Sequence, residues 1–113
     1  MSDTTITPDD FFAADLRVGR VLTAEPFPEA RKPAIKMTID FGEVGVRRSS
    51  AQLTVDYEPA DLVGRLVVAV VNFPPRQIGP FLSEVLVLGA CPSSSEVVLL
   101  RPDEDVPPGT RIA

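Results

Sequence analysis

Hydrophobic and polar positions alternate without a break over residues 35–41, IKMTIDF. Ile35, Met37, Ile39 and Phe41 fall on one face, and Lys36, Thr38 and Asp40 on the other. A period of two predicts a β-strand with one buried and one solvated side. Residues 42–45, GEVG, predict a hairpin turn, and residues 46–53, VRRSSAQL, the strand that returns. Two other segments are apolar throughout: residues 66–71, LVVAVV, and 85–88, VLVL. Both are rich in β-branched side chains and have the length of strands buried on both faces. Between them, NFPPRQ at residues 72–77 breaks the pattern. Proline has no amide hydrogen and fixes φ, so this segment predicts a stiff loop held out by two buried strands. Loops on rigid frames carry function more often than the frames do.

The remaining pattern fills in a small β scaffold. Residues 15–22, DLRVGRVL, predict a first strand with a bend or bulge at Gly19, ended by Pro26, Phe27 and Pro28. Residues 97–100 form a last apolar run, and residues 102–109 are acidic and proline-rich. Residues 1–6 read as a polar tail. After it Thr7, Pro8, Asp9 and Asp10 form a helix start, predicting a short helix over 8–14 that carries Phe11 and Phe12. Pro59 and Gly64 bracket a second short helix over 58–64. About five strands, with a helix between the third and fourth, match an all-β, five-stranded OB-fold barrel, although a small sandwich would give much the same pattern. At 113 residues, with no repeat or linker, the chain reads as one domain, 1–113.

Composition supports the β reading and removes several chemistries. Twelve prolines and seven glycines favour short elements and frequent turns. No histidine is present and Cys91 is the single cysteine, which excludes imidazole-based hydrolysis, the usual zinc sites and an intrachain disulfide. No catalytic residue, metal or cofactor is expected. Cys91 itself reads as a small buried hydrophobe in a reducing compartment. The N-terminus lacks a basic start and an apolar core, and no apolar run reaches about 18 residues, so neither a secretory signal nor membrane insertion is expected. Cytoplasmic residence is the expectation.

With a net charge of −5 and a pI near 4.6, no global field draws this chain to nucleic acid. Any such contact must come from a local patch, and the cations are unevenly placed. Arg31, Lys32 and Lys36 lie in or beside one loop, Arg47 and Arg48 begin the strand expected to pair with it, and Arg76 stands on the proline loop. Ser49, Ser50, Gln52, Asn72 and Gln77 add neutral groups able to contact phosphate or sugar. Phe73 has a ring that could stack on a base or on an apolar peptide side chain.

These same residues carry a resemblance. DLRVGRV at 15–21, FPEARKPAIKMTIDFG at 27–42, SSAQ at 49–52 and NFPPRQIGPFLSEVLVLG at 72–89 closely resemble the CsaA family. CsaA is a small stand-alone relative of the tRNA-binding domain appended to methionyl- and phenylalanyl-tRNA synthetases. The likeness runs from about Phe12 to Ile112. It implies an OB-fold homodimer in the cytoplasm, described both as a tRNA-binding module and as a chaperone linked to protein export. It also implies a dimer interface that includes the N-terminal helix with Phe11 and Phe12, and RNA-facing positions at Ser49, Ser50, Asn72, Arg76, Ser83 and Glu84. The acidic pI and thin basic content imply weak, salt-sensitive RNA binding, or a peptide role that has displaced the RNA one.

Two functional readings follow. The first is a non-catalytic binder of structured RNA of the tRNA class, using those positions with Arg31, Lys32, Lys36, Arg47 and Arg48. The second is a holdase that binds unfolded or preprotein polypeptide through apolar pockets beside the proline loop, with Phe73, Ile78 and Phe81 as contacts.

Overall fold

The computed structural model describes residues 4–113; the first three residues of the polar tail lie outside it. In chain order the structure contains α1 (Pro8–Phe12), β1 (Leu16–Pro26), β2 (Ile35–Asp40), a 3-10 turn (Gly42–Val44) and β3 (Val46–Ala51). It continues with α2 (Pro59–Leu62), β4 (Leu66–Val70), β5 (Arg76–Ile78), β6 (Phe81–Ser83), β7 (Leu86–Val87), β8 (Gly89–Ala90) and β9 (Val98–Leu99). Five strands pair antiparallel in the order β3-β2-β1-β4-β7 and form a nearly closed barrel of the OB type.

β1 organises the barrel because it serves two partners. Its first half, Leu16 to Arg20, pairs with β4, and its second half, Arg20 to Pro26, pairs with β2. A strand shared in this way must bend, and the register slips between Val21 and Thr23. The bulge expected at Gly19 therefore lies at Leu22. Gly19 pairs regularly with Val67 and has a different role: a Cβ there would stand 2.6 Å from both Ile39 Cγ2 and Phe41 Cε1. The missing side chain lets the β2 face pack directly on the β1 backbone.

The alternation read in residues 35–41 is reproduced in three dimensions. Ile35, Met37, Ile39 and Phe41 are at most 1% exposed and form the barrel core with Val67 and Val85, while Lys36, Thr38 and Asp40 are half-buried on the outer face. β4 is buried along its whole length for a reason the run LVVAV could not supply. Val67 and Ala69 point into the barrel, and Leu66 and Val68 point out, where Val18, Val106 and Ile112 cover them. The acidic, proline-rich C-terminal stretch is thus a covering segment. It is held by Gly109 N to Val18 O at 2.7 Å, Val18 N to Thr110 O at 2.8 Å and Ile112 N to Leu16 O at 2.9 Å. Arg17 reinforces it by donating to Gly109 O at 3.1 Å and to Asp15 Oδ1 at 2.7 Å. The hydrogen bond to Asp15 raises the Arg17 pKa above its ordinary value, against the opposing pull of desolvation.

Both short helices form where expected and end early. α1 is opened by a reciprocal cap, Thr7 Oγ1 accepting from Asp10 N at 3.2 Å while Asp10 Oδ2 accepts from Thr7 N at 2.9 Å. It stops at Phe12 with none of its residues buried: Phe11 and Phe12 are 41% and 42% exposed, edge to face with each other. The proline loop is shorter than read. Residues 72–75 form it, while Arg76, Gln77 and Ile78 pair with Ser83, Leu82 and Phe81 as a hairpin turning at Gly79 and Pro80. No helix among the described residues is long and apolar enough to cross a membrane.

Candidate nucleic-acid interface

The barrel closes between β3 and residues 83–85, and that seam decides where most of the expected site residues point. Glu84 N donates to Arg48 O at 2.8 Å, Arg48 N donates to Glu84 Oε1 at 3.0 Å, and Ser50 N donates to Ser83 Oγ at 3.3 Å. Ser49, 1% exposed, donates its hydroxyl to Val85 O at 3.0 Å. β7 continues past the seam for only two residues, so side chains take over where ladder bonds run out. Ser49 is therefore corrected from an RNA-facing group to a core group. Its register partner is Met37, and both lie on the barrel's inner side. Ser83 is 9% exposed and Glu84 is half-buried, each committed in part to closure.

Adjacent residues of a strand point to opposite faces, which divides the arginine pair. Arg48 stands opposite Thr38 and shares the outer face with Ser50 and Lys36, whereas Arg47 stands opposite Ile39 on the core side. The patch expected from Lys36, Arg47 and Arg48 thus loses Arg47, whose Nη1 turns back to Val46 O at 3.3 Å.

Lys36 and Arg48 are themselves occupied. Lys36 Nζ lies 3.6 Å from Glu25 and over the rings of Phe27 and Phe81, at 5.3 and 5.9 Å. The Arg48 guanidinium lies 5.5 Å from the Phe81 centroid, with Nε 3.6 Å from Glu84. Phe81 packs on buried Phe27 at 5.3 Å, so its ring is a platform for two protein cations. Phe81 is corrected from a free peptide contact to a packing group.

Asn72 is likewise engaged: its Oδ1 accepts from Asp15 N and its Nδ2 donates to Ala13 O, both at 2.8 Å. The amide fastens the end of α1 to the end of β4. This exposed side chain, expected as an RNA contact, thus also acts as a tether.

Of the six cations expected at the site, three have side chains without an ion pair or hydrogen bond among the described residues: Arg31, Lys32 and Arg76, all exposed. The structure brings them to one place. A cleft of about 310 Å³ is lined by Phe73, Pro74, Arg76 and Glu84, and a larger one of about 630 Å³ by Arg31, Lys32, Gln52 and Arg76. Arg76, Ser50, Ile78 and Leu86 line both, so the two are continuous. Phe73 is 51% exposed at one end, and Leu86 is 50% exposed between them. Sequence reasoning missed Leu86, which sits in an apolar run that reads as buried on both faces. It is open because β7 ends the sheet. Cys91, expected to be buried, is exposed and lines the larger cleft. The assembled surface combines three uncompensated positive charges, one open aromatic ring, neutral hydrogen-bonding groups and an apolar floor.

Residues 16–111 match the family model described as "Putative tRNA binding domain". The methionine–tRNA ligase of Rhodopirellula baltica is 47% identical over 107 residues, 95% of this chain and 16% of that enzyme. A second ligase, from Sorangium cellulosum, is 42% identical over 94% of this chain and 15% of its own length. The chain thus spans about a sixth of these curated relatives. Among solved structures, chaperone CsaA from Bacillus anthracis superposes with a TM-score of 0.94 at 53% identity, covering 97% of this chain and all of that one. The methionyl-tRNA-synthetase-related protein of Pyrococcus horikoshii gives 0.86 at 27% identity, with both chains covered completely.

Proposed function

We propose that this chain, which belongs to the tRNA-binding-domain family, binds structured RNA of the tRNA class and does so without catalysis. The observation that carries the reading is the convergence of Arg31, Lys32 and Arg76 on one cleft system of an otherwise acidic barrel. Cations already neutralised by carboxylates add little to phosphate binding, and these three are not neutralised. Arg76 stands on a hairpin paired to Ser83, so its backbone is fixed before any ligand arrives. Ser50 and Gln52 supply neutral contacts to sugar or phosphate. Exposed Phe11 and Phe12 support a homodimer through α1, which would double the RNA surface. Residence in the cytoplasm belongs to the same reading.

Band-shift titration of unmodified tRNA at low salt tests it. Binding should be seen with the native chain and should be largely lost when Arg31, Lys32 and Arg76 are all changed to Ala. Equal binding by the triple variant would discard the assignment.

A second reading has its own observation. Phe73, Ile78 and Leu86 give the smaller cleft an apolar lining wide enough for a peptide side chain, and two similar solved structures are named chaperones. As a holdase linked to export, the chain would suppress aggregation of a denatured client with little dependence on salt. An absence of protection at several-fold excess would remove this reading.

A further inference from the structure

The smaller cleft is built for more than a phosphate. Its lining places an open aromatic ring, Phe73, and a free guanidinium, Arg76, beside a carboxylate, Glu84. Glu84 uses Oε1 for Arg48, at 3.0 Å to the backbone N and 3.6 Å to Nε, and its Oε2 has no partner among the described residues. An ionised carboxylate only accepts, and it repels an anion. Whatever enters deeply must therefore bring N–H donors and no negative charge, while Arg76 calls for a negative charge close by. A flat donor-bearing ring joined to a phosphate meets both demands. At about 310 Å³ the cleft is at the small end of ligand sites, the size for one such unit and not for a folded segment.

We propose that this cleft receives a single unpaired nucleotide of the RNA. Its base stacks on Phe73, its exocyclic amine donates to Glu84 and an adjoining phosphate pairs with Arg76. The inference rests on the RNA-binding reading above and adds what that reading leaves open, the part of the RNA that is recognised. A base inside a duplex has its faces stacked and its pairing edge in use, so it is excluded. Among unpaired bases, those with an amine are preferred to uracil, since a carboxylate accepts well from an amino group.

The test is fluorescence anisotropy at low salt with labelled oligo(C), labelled oligo(U), a blunt RNA hairpin and intact tRNA. The proteins are the native chain, Phe73→Ala and Glu84→Gln. Phe73 is half-exposed, and Gln retains an Oε1 that can accept from Arg48 N, so both variants should keep the native circular dichroism spectrum and melting temperature.

The native chain should bind oligo(C) more tightly than oligo(U) or the hairpin. Phe73→Ala should weaken oligo(C) binding by about 5- to 150-fold, the range that loss of one base–aromatic stack produces. Glu84→Gln should erase the preference for C over U. Oligo(C) affinity unchanged in Phe73→Ala, or equal native affinity for oligo(C) and oligo(U), overturns the proposal. If tRNA binding persists in that case, the RNA reading stands without it; if the native chain binds no RNA at all, both fall. An unfolded polypeptide whose binding depends on Phe73, with no oligonucleotide bound, would assign the cleft to protein and likewise overturn it.

Discussion

Ser49 Oγ donates to Val85 O at 3.0 Å inside the barrel, across the seam where β3 meets the segment leading into β7. The two residues are 36 positions apart, and no ladder bond joins β3 to β7. Replacing Ser49 by Ala leaves a buried carbonyl unpaired, at a cost of about 1–3 kcal/mol. Urea denaturation should show a lower midpoint with an unchanged slope. A midpoint equal to that of the native chain would mean that the seam does not depend on this hydroxyl.

Gly19 carries a prediction of the opposite kind, too much atom in place of too little. An added Cβ would lie 2.6 Å from Ile39 and Phe41, two side chains that are themselves fully buried. Neither can move without disturbing the core, so Gly19→Ala should destabilise by about 1–3 kcal/mol. Thermal melting of the variant checks this.

Arg31, Lys32 and Arg76 should act as phosphate contacts and Arg47 should not. The logarithm of tRNA affinity against the logarithm of salt should fall with a slope of about 0.7–0.9 per phosphate neutralised. Each Ala substitution among the three should reduce that slope by about one. Arg47→Ala should leave both affinity and slope unchanged, because its strand position directs it to the core side. A loss of slope in Arg47→Ala, with none in the other three, would place the RNA on a different surface.

Asn72 separates tethering from recognition. Its amide makes two hydrogen bonds, to Ala13 O and Asp15 N. Asn72→Ala should cost about 0.5–1.5 kcal/mol per bond and raise amide exchange in α1, with RNA affinity retained. Lost RNA binding with unchanged exchange would restore it as a contact.

Phe11 and Phe12 present two rings on a helix that buries no residue. Changing both to Ala should shift sedimentation from dimer to monomer while the melting transition of the barrel stays cooperative. A native chain that sediments as a monomer at micromolar concentration would leave these rings without the assigned role.

Legibility in the sequence followed the range of the interaction involved. The IKMTIDF alternation named its four core residues and its three outer ones correctly, since side-chain direction along a strand repeats every two residues and needs no knowledge of the partner. The same rule, applied to Arg47 and Arg48, already forbids one shared face; grouping them by proximity in the chain was the error. Thr7 and Asp10 disclosed a cap because both partners sit three residues apart. For Ser49, Asn72 and Phe81 the sequence does not show the partners, because these are Val85, Ala13 and Phe27, each dozens of positions away. A polar or aromatic residue reads as available until the fold supplies whatever occupies it.

By itself the sequence determined the main barrel strands, the two helix starts, the stiffness of the proline segment and the scarcity of positive charge. All of these follow from local periodicity, backbone chemistry and counting. Tertiary structure alone decided which cations stay unneutralised, that Leu86 opens onto a cleft while Val85 closes the core, and that Arg31 and Arg76, 45 positions apart, face the same space. The physical reason is that a free charge or an open ring is defined by what does not pack against it, and only the closed barrel settles that.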